Sequence, residues 1–428
     1  MEIPQTKNTL AEITKGYERY KDSDEAWLGE IPEHWDTKRF KFLAKSNKGK
    51  LPNKIVSIKE DNLPPYMSME YLRGGEESQW VKDQDALVID ENEILLLWDG
   101  SNSGEFLKSK KGVISSTLAH IIYRNIDKTF AWYHSKVLEI ELRKNTIGMG
   151  IPHVNGRVLN NLKMLLPPLT EQTAIAQFLD DKTEKIDAAV ALKELQIKLL
   201  QERKQILIHK AVTRGLDDSV VFKDSSVEWI GEIPEHWEVK RLKYVFQILK
   251  RIAGELGHRV LSITQRGIKV KDIESGGGQL SMDYSKYQIV NRGDFAMNHM
   301  DLLTGYVDIS KYDGVISPDY RVFNLLDETC NKHFILLLLQ IGYRHKIFYA
   351  HGQGVSMLGR WRFPADNFNN FRFPIPPISE QKEISEYIKT ALQKIETAIC
   401  LKQQEIKKLK EYNSSLINSV VTGKVKVC

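Results

Sequence analysis

Residues 20–43 read YKDSDEAWLGEIPEHWDTKRFKFL, and residues 222–245 read FKDSSVEWIGEIPEHWEVKRLKYV. The shift is 202 positions, from Trp27 to Trp229, and 14 of the 24 positions are identical. A second block recurs downstream: Leu166–Gln172 is LPPLTEQ and Ile375–Gln381 is IPPISEQ, now 209 positions apart. Self-similarity at one long interval means that a single structural unit has been written twice. Between these landmarks the copies diverge and only short echoes survive. Gly112-Val113-Ile114-Ser115 matches Gly314-Val315-Ile316-Ser317, Gly148 and Gly150 match Gly352 and Gly354, and Asn160-Asn161 matches Asn369-Asn370. The two copies are constant at their ends and variable in their middles.

The constant ends predict long helices. The prolines keep the residues before them extended, and Thr170 and Ser379 are placed to act as N-caps. The helical pattern runs from Thr170 to about Thr213 and from Ser379 to about Thr422, with no internal Gly or Pro. In the first, Ile186, Val190, Ile197, Leu200, Leu207 and Ala211 recur at spacings near 4 and 3. The same register in the second gives Ile395, Ile399, Ile406, Leu409, Leu416 and Val420. These are heptad seams, interrupted in both copies at Lys193 and Lys402 and at Lys204 and Asn413. A helix of ~44 residues spans roughly 65 Å and needs a partner. Its own copy is the nearest one, so an antiparallel intrachain coiled coil is expected.

The intervening segments read as short strands separated by Gly-, Asn- and Asp-rich turns. Examples are Ala86–Ile89, Glu93–Trp98, Leu118–Tyr123, Tyr287–Val290 and Tyr320–Phe323. Helices are expected over Phe130–Arg143 and Cys330–Phe348. The fold class is therefore α+β: two similar globular domains, 1–168 and 216–376, alternating with long helices at 169–215 and 377–428.

Length and composition fit this plan. A chain of 428 residues has room for two to four domains, and 42% hydrophobic with 27% charged residues is an ordinary globular mixture. The formal net charge of +5 does not argue for nucleic-acid binding by itself. The first 169 residues carry 24 basic and 24 acidic groups, the first helix 7 of each, and the second 7 against 6. Residues 222–378 hold 20 against 17. Any contact with phosphates must then come from locally placed residues rather than a basic stripe. The opening MEIPQTKNTL has no secretion-signal pattern, and no apolar run approaches a membrane span. Cys330, Cys400 and Cys428 lie far apart, as in a reduced cytoplasmic protein without a disulfide or zinc framework.

Catalytic signatures are missing from the sequence. There is no Gly-x-x-x-x-Gly-Lys-Ser/Thr loop, no His-Glu-x-x-His and no Cys/His metal spacing. Leu63-Pro64-Pro65-Tyr66 is similar to the Asn/Asp/Ser-Pro-Pro-Tyr motif of adenine methyltransferases. Leucine, however, cannot accept the hydrogen bond that the motif's polar first residue accepts. No glycine-rich strand–turn holds S-adenosylmethionine, and acidic groups such as Asp90, Glu91 and Glu93 lack the lysine of a nuclease site. His34 and His236 recur within Pro-Glu-His-Trp and read as structural, with Trp35 and Trp237 as buried anchors.

Candidate DNA contacts lie in polar loops that follow apolar strands. One is Trp98–Gly104, where Asp99, Ser101 and Asn102 can reach base edges; the other is Met297–Asp301, with Asn298 and His299; for any single residue, a turn satisfied by its own side chains is the simpler reading. Arg73, Arg266, Arg360 and Arg362 suit guanine or phosphate contacts. Lys38-Arg39-Lys41 and Lys240-Arg241-Lys243 fit a solvated strand face as well as a phosphate clamp.

Taken together, the sequence resembles the specificity subunits of type I restriction–modification systems. Trp-Leu/Ile-Gly-Glu-Ile-Pro-Glu-His-Trp at both module starts carries the resemblance. So do Pro-Pro-Leu/Ile-x-Glu-Gln before both helices and the endings Ala211–Thr213 and Val420–Thr422. The resemblance covers the chain from about residue 17 onward. It implies two target-recognition domains, each reading one half of a split site in double-stranded DNA, with the paired helices setting the unread spacer. It implies a chain with no catalytic residues, metal or cofactor of its own. The expected partners are two methylation subunits with S-adenosylmethionine, and restriction subunits that hydrolyse ATP with magnesium; no membrane is involved. Two other classes fit parts of the pattern: a self-sufficient adenine DNA methyltransferase and a non-DNA coiled-coil adaptor.

Overall fold

The repeated sequence folds into repeated architecture. The computed structural model describes residues 16–83, 85–148, 150–273, 281, 283–354 and 361–427. These form two units, Met1–Glu194 with Gln403–Cys428, and Leu195–Lys402.

In the first unit, a hairpin of Tyr20–Asp22 and Glu30–Pro32 leads into the strand Asp36–Arg39. That strand pairs antiparallel with Lys163–Leu166, which precedes the long helix. The first repeated motif is thereby tied to the second across more than a hundred residues. The main sheet has four antiparallel strands in the order Phe106–Lys108, Ile94–Leu97, Leu118–Tyr123, Ala44–Lys48. Ile94–Leu97 is buried at every position, as expected for an apolar run covered on both faces. The helix Lys128–Lys144 is capped by Asp127, whose side chain accepts from the Phe130 N–H, and packs Phe130, Tyr133 and Val137 into the core.

The second unit repeats this plan. Phe222–Asp224 pairs with Glu232–Pro234, and Glu238–Arg241 with Arg372–Ile375. Its four-stranded sheet runs Phe246–Leu249, Arg321–Leu325, Phe295–Met297, Val307–Ile309, the same order read from the other edge. Asn331 caps the helix Lys332–Arg344. The core is richer in aromatics, with Phe246, Phe295, Phe323 and Phe368 in mutual ring contact.

The long helices span Leu169–Arg214 and Ile378–Val421. Within the first unit, Thr183 meets Asn413 at 3.4 Å and Lys193 meets Glu405 at 2.7 Å. Partner numbers fall as helix numbers rise, which is antiparallel pairing. Ile186, Val190 and Leu416 are buried there, with Ile406 and Leu409 packed against them. Within the second unit Lys204 pairs with Glu396 at 2.8 Å. Leu207 and Leu392 join its core, Ile395 is buried, and Ile197, Leu200 and Ile399 are half-buried. The seam lysines Lys193 and Lys204 thus meet glutamates of the facing helix. Such partly exposed pairs contribute under about 1 kcal/mol each, so they select register more than they stabilise.

Several expectations need correction. Thr170 and Ser379 are not N-caps: the helices start one residue earlier, and the carbonyls of Pro168 and Pro377 accept the first helical bonds from Gln172 and Gln381 at 2.9 and 3.0 Å. Proline is suited to this, because its carbonyl suffices there and its missing N–H leaves nothing unsatisfied. The expected Cys330–Phe348 helix divides into Lys332–Arg344 and Ile347–Ala350, because Lys346 takes a left-handed conformation at φ 57°. Ala86 and Leu87 lie outside the strand, which is Val88–Ile89. Leu63-Pro64-Pro65-Tyr66 feeds a strand, with the Pro64 and Pro65 carbonyls accepting from Val81 and Val113 N–H.

One buried group makes the first unit acid-sensitive. His134 is fully buried, and its Nε2 accepts from the Leu165 N–H at 2.9 Å. Burial pushes its pKa down from 6.5 to about 4. The unfolded chain therefore binds more protons between these values, so the stability from neutral His134 is full above pH 6.5 and lost as pH falls toward 4. Unfolding by urea at pH 7.5 and 5 should differ by on the order of 2 kcal/mol on this account. A His134→Leu variant should show a correspondingly flatter dependence, and an unchanged slope would remove His134 as the cause.

Candidate nucleic-acid interface

The recurring motifs build a frame that holds each variable module on its helix. His34 Nε2 lies 2.6 Å from Glu171 Oε1, and Trp35 Nε1 donates to Glu171 Oε2 at 2.9 Å. In the second unit His236 lies 2.6 Å from Glu380 Oε1, and Trp237 Nε1 donates to Glu380 Oε2 at 2.7 Å. Pro-Glu-His-Trp thus engages the glutamate of Pro-Pro-x-x-Glu-Gln in both copies. Burial raises the Glu171 pKa, but the hydrogen bonds from Trp35 and His34 outweigh it and hold the carboxyl below its ordinary value. The neighbouring glutamines do parallel work. Gln172 accepts from the Asp127 N–H and donates to the Pro167 carbonyl, while Gln381 accepts from Asn331 N–H and donates to the Thr329 and Pro376 carbonyls. Each glutamine therefore fixes the N-terminus of its module's main helix.

The indoles also meet the opposite helix end. Trp35 packs beside Gly423, which follows the second helix, and Trp237 beside Gly215, which follows the first. Both glycines have positive φ, 73° and 78°, as a helix-terminating left-handed residue requires. Each tryptophan is thus lodged between the start of one helix and the end of the other, an arrangement that only antiparallel pairing allows.

The candidate reading loops sit at equivalent places on these frames. Leu97 N–H donates to Glu105 and Asn298 N–H to Tyr306, which aligns Trp98 with His299. Trp98 and His299 then accept from Val154 and Phe363 N–H at 2.9 and 2.8 Å, which aligns His153 with Arg362. Different chemistry occupies the matched positions. In the first module Asp99 pairs with Lys48 at 2.8 Å and lies 3.7 Å from His153, while Lys48 stands over the Trp98 ring. Ser101 is exposed and Asn102 half-buried in the turn beyond. In the second module Asn298 caps its own turn, accepting from Met300 N–H, and its carbonyl accepts from Tyr343. Burial and the nearby Arg321 and Arg362 push the His299 pKa down to about 3, so the ring is neutral. A cleft of about 550 Å³ is bordered by the loop residues Asn298, Met300 and Asp301 together with Tyr320.

The remaining candidates are dispersed. Arg73 is held by Glu105 at 2.9 Å, within a network that includes Arg143 and Glu139. Arg266 is exposed at the tip of the Leu261–Thr264/Gly267–Val270 hairpin. Arg362 lies on the strand Trp361–Arg362, and Arg360 falls outside the described residues. Of the repeated basic clusters, Lys240 is engaged by Asp327 at 2.8 Å, whereas Lys38, Arg39, Arg241 and Lys243 are exposed. Among the described residues no cluster of His, Cys, Asp and Glu could hold a metal ion. No helix there is long and apolar enough to cross a membrane. Sequence reading missed Lys48, His153 and Arg321. It also missed the partners of the repeated Glu-Gln, although that pair's recurrence was a visible signal.

The frame and its two modules match known proteins. The family model described as the type I restriction modification DNA specificity domain matches residues 32–198 and again 234–411. The chain is 32% identical over 418 residues to the type I restriction enzyme MjaVIII specificity subunit of Methanocaldococcus jannaschii, covering 93% of this chain and 94% of the relative. It is 21% identical over 361 residues to the EcoBI specificity subunit of Escherichia coli, covering 77% and 70%. A chain from a solved type I restriction–modification system has a similar fold, with TM-score 0.63 at 12% identity, covering 91% of this chain and 98% of that one. The chain belongs to the type I restriction–modification DNA specificity family.

Proposed function

We propose that this chain is the specificity subunit of a type I restriction–modification assembly. Each module reads one half of a bipartite site in duplex DNA, and the antiparallel helices set the unread spacer between the halves. One observation carries this reading: a single backbone frame is built twice, with different polar groups at its matched loop positions. Base readout depends on such side chains, so two half-sites can differ while the frame stays constant. Two copies of one frame suit two copies of a methylation subunit, each docking on an equivalent surface. S-adenosylmethionine, ATP and magnesium then belong to the methylation and restriction partners, and this chain supplies the address.

Selection from a random duplex library by the assembly reconstituted with its methylation partner tests the reading. The expected product is a site with two fixed blocks flanking a constant number of free positions. Recovery of no bipartite site would favour a coiled-coil adaptor. Ultraviolet crosslinking of labelled S-adenosylmethionine to the isolated chain would favour a self-sufficient methyltransferase.

A further inference from the structure

Among the described residues, the second module holds positive charge that no carboxylate partner neutralises. Arg321 is 5% exposed, on the central strand Arg321–Leu325. Its guanidinium donates through Nη2 to the Phe363 carbonyl at 3.1 Å and stacks over the Phe368 ring at 4.7 Å, while Nη1 is buried without a hydrogen-bond partner. Arg362 Nε and His299 Nδ1 are likewise buried and unpartnered. The Phe363 backbone ties the three segments together: its carbonyl accepts from the Arg321 side chain, its N–H donates to the His299 main-chain carbonyl, and Arg362 directly precedes it. Among the described residues no carboxylate pairs with Arg321 or Arg362. Burial lowers the Arg321 pKa only to about 10, so it stays charged at neutral pH.

A buried cation and orphaned donors destabilise a fold unless something outside it compensates. The repeat shows that the frame does not require them. Arg321 faces Met297 in the sheet, and at the matched position of the first module Ala119, fully buried, faces Leu96. In the corresponding loop of the first module, the charged Asp99 already has Lys48 and His153.

We propose that His299, Arg321 and Arg362 form an oxyanion-binding recess in the second module, filled in function by a backbone phosphate of duplex DNA. Arg362 is partly exposed and is the contacting residue. Arg321 is a positioning residue that supplies uncompensated charge from behind. Recessed donors suit a phosphate oxygen, whereas reading a base edge requires side chains that project into the groove. The assignment rests on the chain being a reader of duplex DNA.

The test is the salt dependence of DNA binding by the assembled protein, wild type against Arg362→Gln and Arg321→Met. Each variant should lower the slope of log affinity against log salt by about 1, and weaken binding about five- to tenfold near 0.15 M salt. The loss should be equal on the selected site and on duplexes altered in either half-site. Arg321→Met should keep or raise the melting temperature, because it removes an unpaired buried charge. Unchanged slope and affinity would overturn the proposal, as would weakening that simply tracks a fall in melting temperature. A loss confined to one base pair would overturn it in favour of guanine readout. Sulfate gives an independent arm: it should raise the melting temperature of the wild type more than that of Arg362→Gln. If the wild type selects no DNA site but sulfate still protects it, the DNA reading fails and the recess stands. If DNA is selected and neither arm responds, the recess fails alone.

Discussion

Trp237→Ala should destabilise the second unit by about 3–5 kcal/mol, among the largest single-residue effects available in this chain. The indole is fully buried and packs in a cluster with Ile208, Ala211 and Val212 of the first long helix and Ile384 of the second. Alanine removes that volume and leaves Glu380 without its 2.7 Å donor at the start of the helix. Trp237→Phe separates the two contributions. It keeps most of the buried surface, loses the indole N–H and should cost about 1.5–3 kcal/mol, the usual range for a hydrogen bond to a charged group. Urea unfolding followed by a probe in the second unit would measure both. If alanine costs less than about 1 kcal/mol, the tryptophan is not a wedge between helix ends. If alanine and phenylalanine cost the same, the hydrogen bond dominates and packing contributes little. Trp35 should behave alike in the first unit, where Glu171 and Gly423 occupy the corresponding positions.

The range of an interaction decides whether the sequence reveals it. The duplication, the long helices and the seam residues Ile186, Val190, Ile395 and Leu416 are written in spacings of a few residues or in direct repetition, so they are visible without a fold. Thr170 misleads because a hydroxyl after two prolines looks like a cap, although the carbonyl of Pro168, two residues earlier, serves. The clamp of His34 and Trp35 on Glu171 joins positions 137 apart, and no local pattern names that partner. Arg321 shows the limit most plainly. An arginine in an alternating strand reads as solvent-facing. It is buried because Met297 pairs beside it and Phe368 covers it, and both contacts arise only when distant segments meet. The loop residues Asp99, Asn298 and His299 read as polar groups after apolar strands, and the fold puts Asp99 and His299 on matched loops. Arg73 reads as a guanine or phosphate contact, but Glu105 engages its charge.

The second large effect concerns the helices as a spacer. Inserting one turn, four residues, into the first long helix adds about 6 Å at 1.5 Å per residue. Duplex DNA rises about 3.4 Å per base pair, so the preferred gap between half-sites should lengthen by one to two base pairs. Neither half-site should change, because the insertion leaves Trp98–Gly104, Met297–Asp301 and their sheets untouched. On the original site at least two positions of one half fall out of register. At about 1–3 kcal/mol per mismatched pair, affinity there should drop at least about 30-fold. Repeating the library selection with the insertion variant measures spacing and half-sites together. The seam limits where the turn can go. An insertion between Lys193 and Lys204 must keep both lysines facing Glu405 and Glu396, so a seven-residue insertion matched in both helices is the control that preserves register. A longer gap with both half-sites retained would establish the helices as the ruler. An altered half-site, or an unchanged gap, would show that spacing is set elsewhere in the assembly.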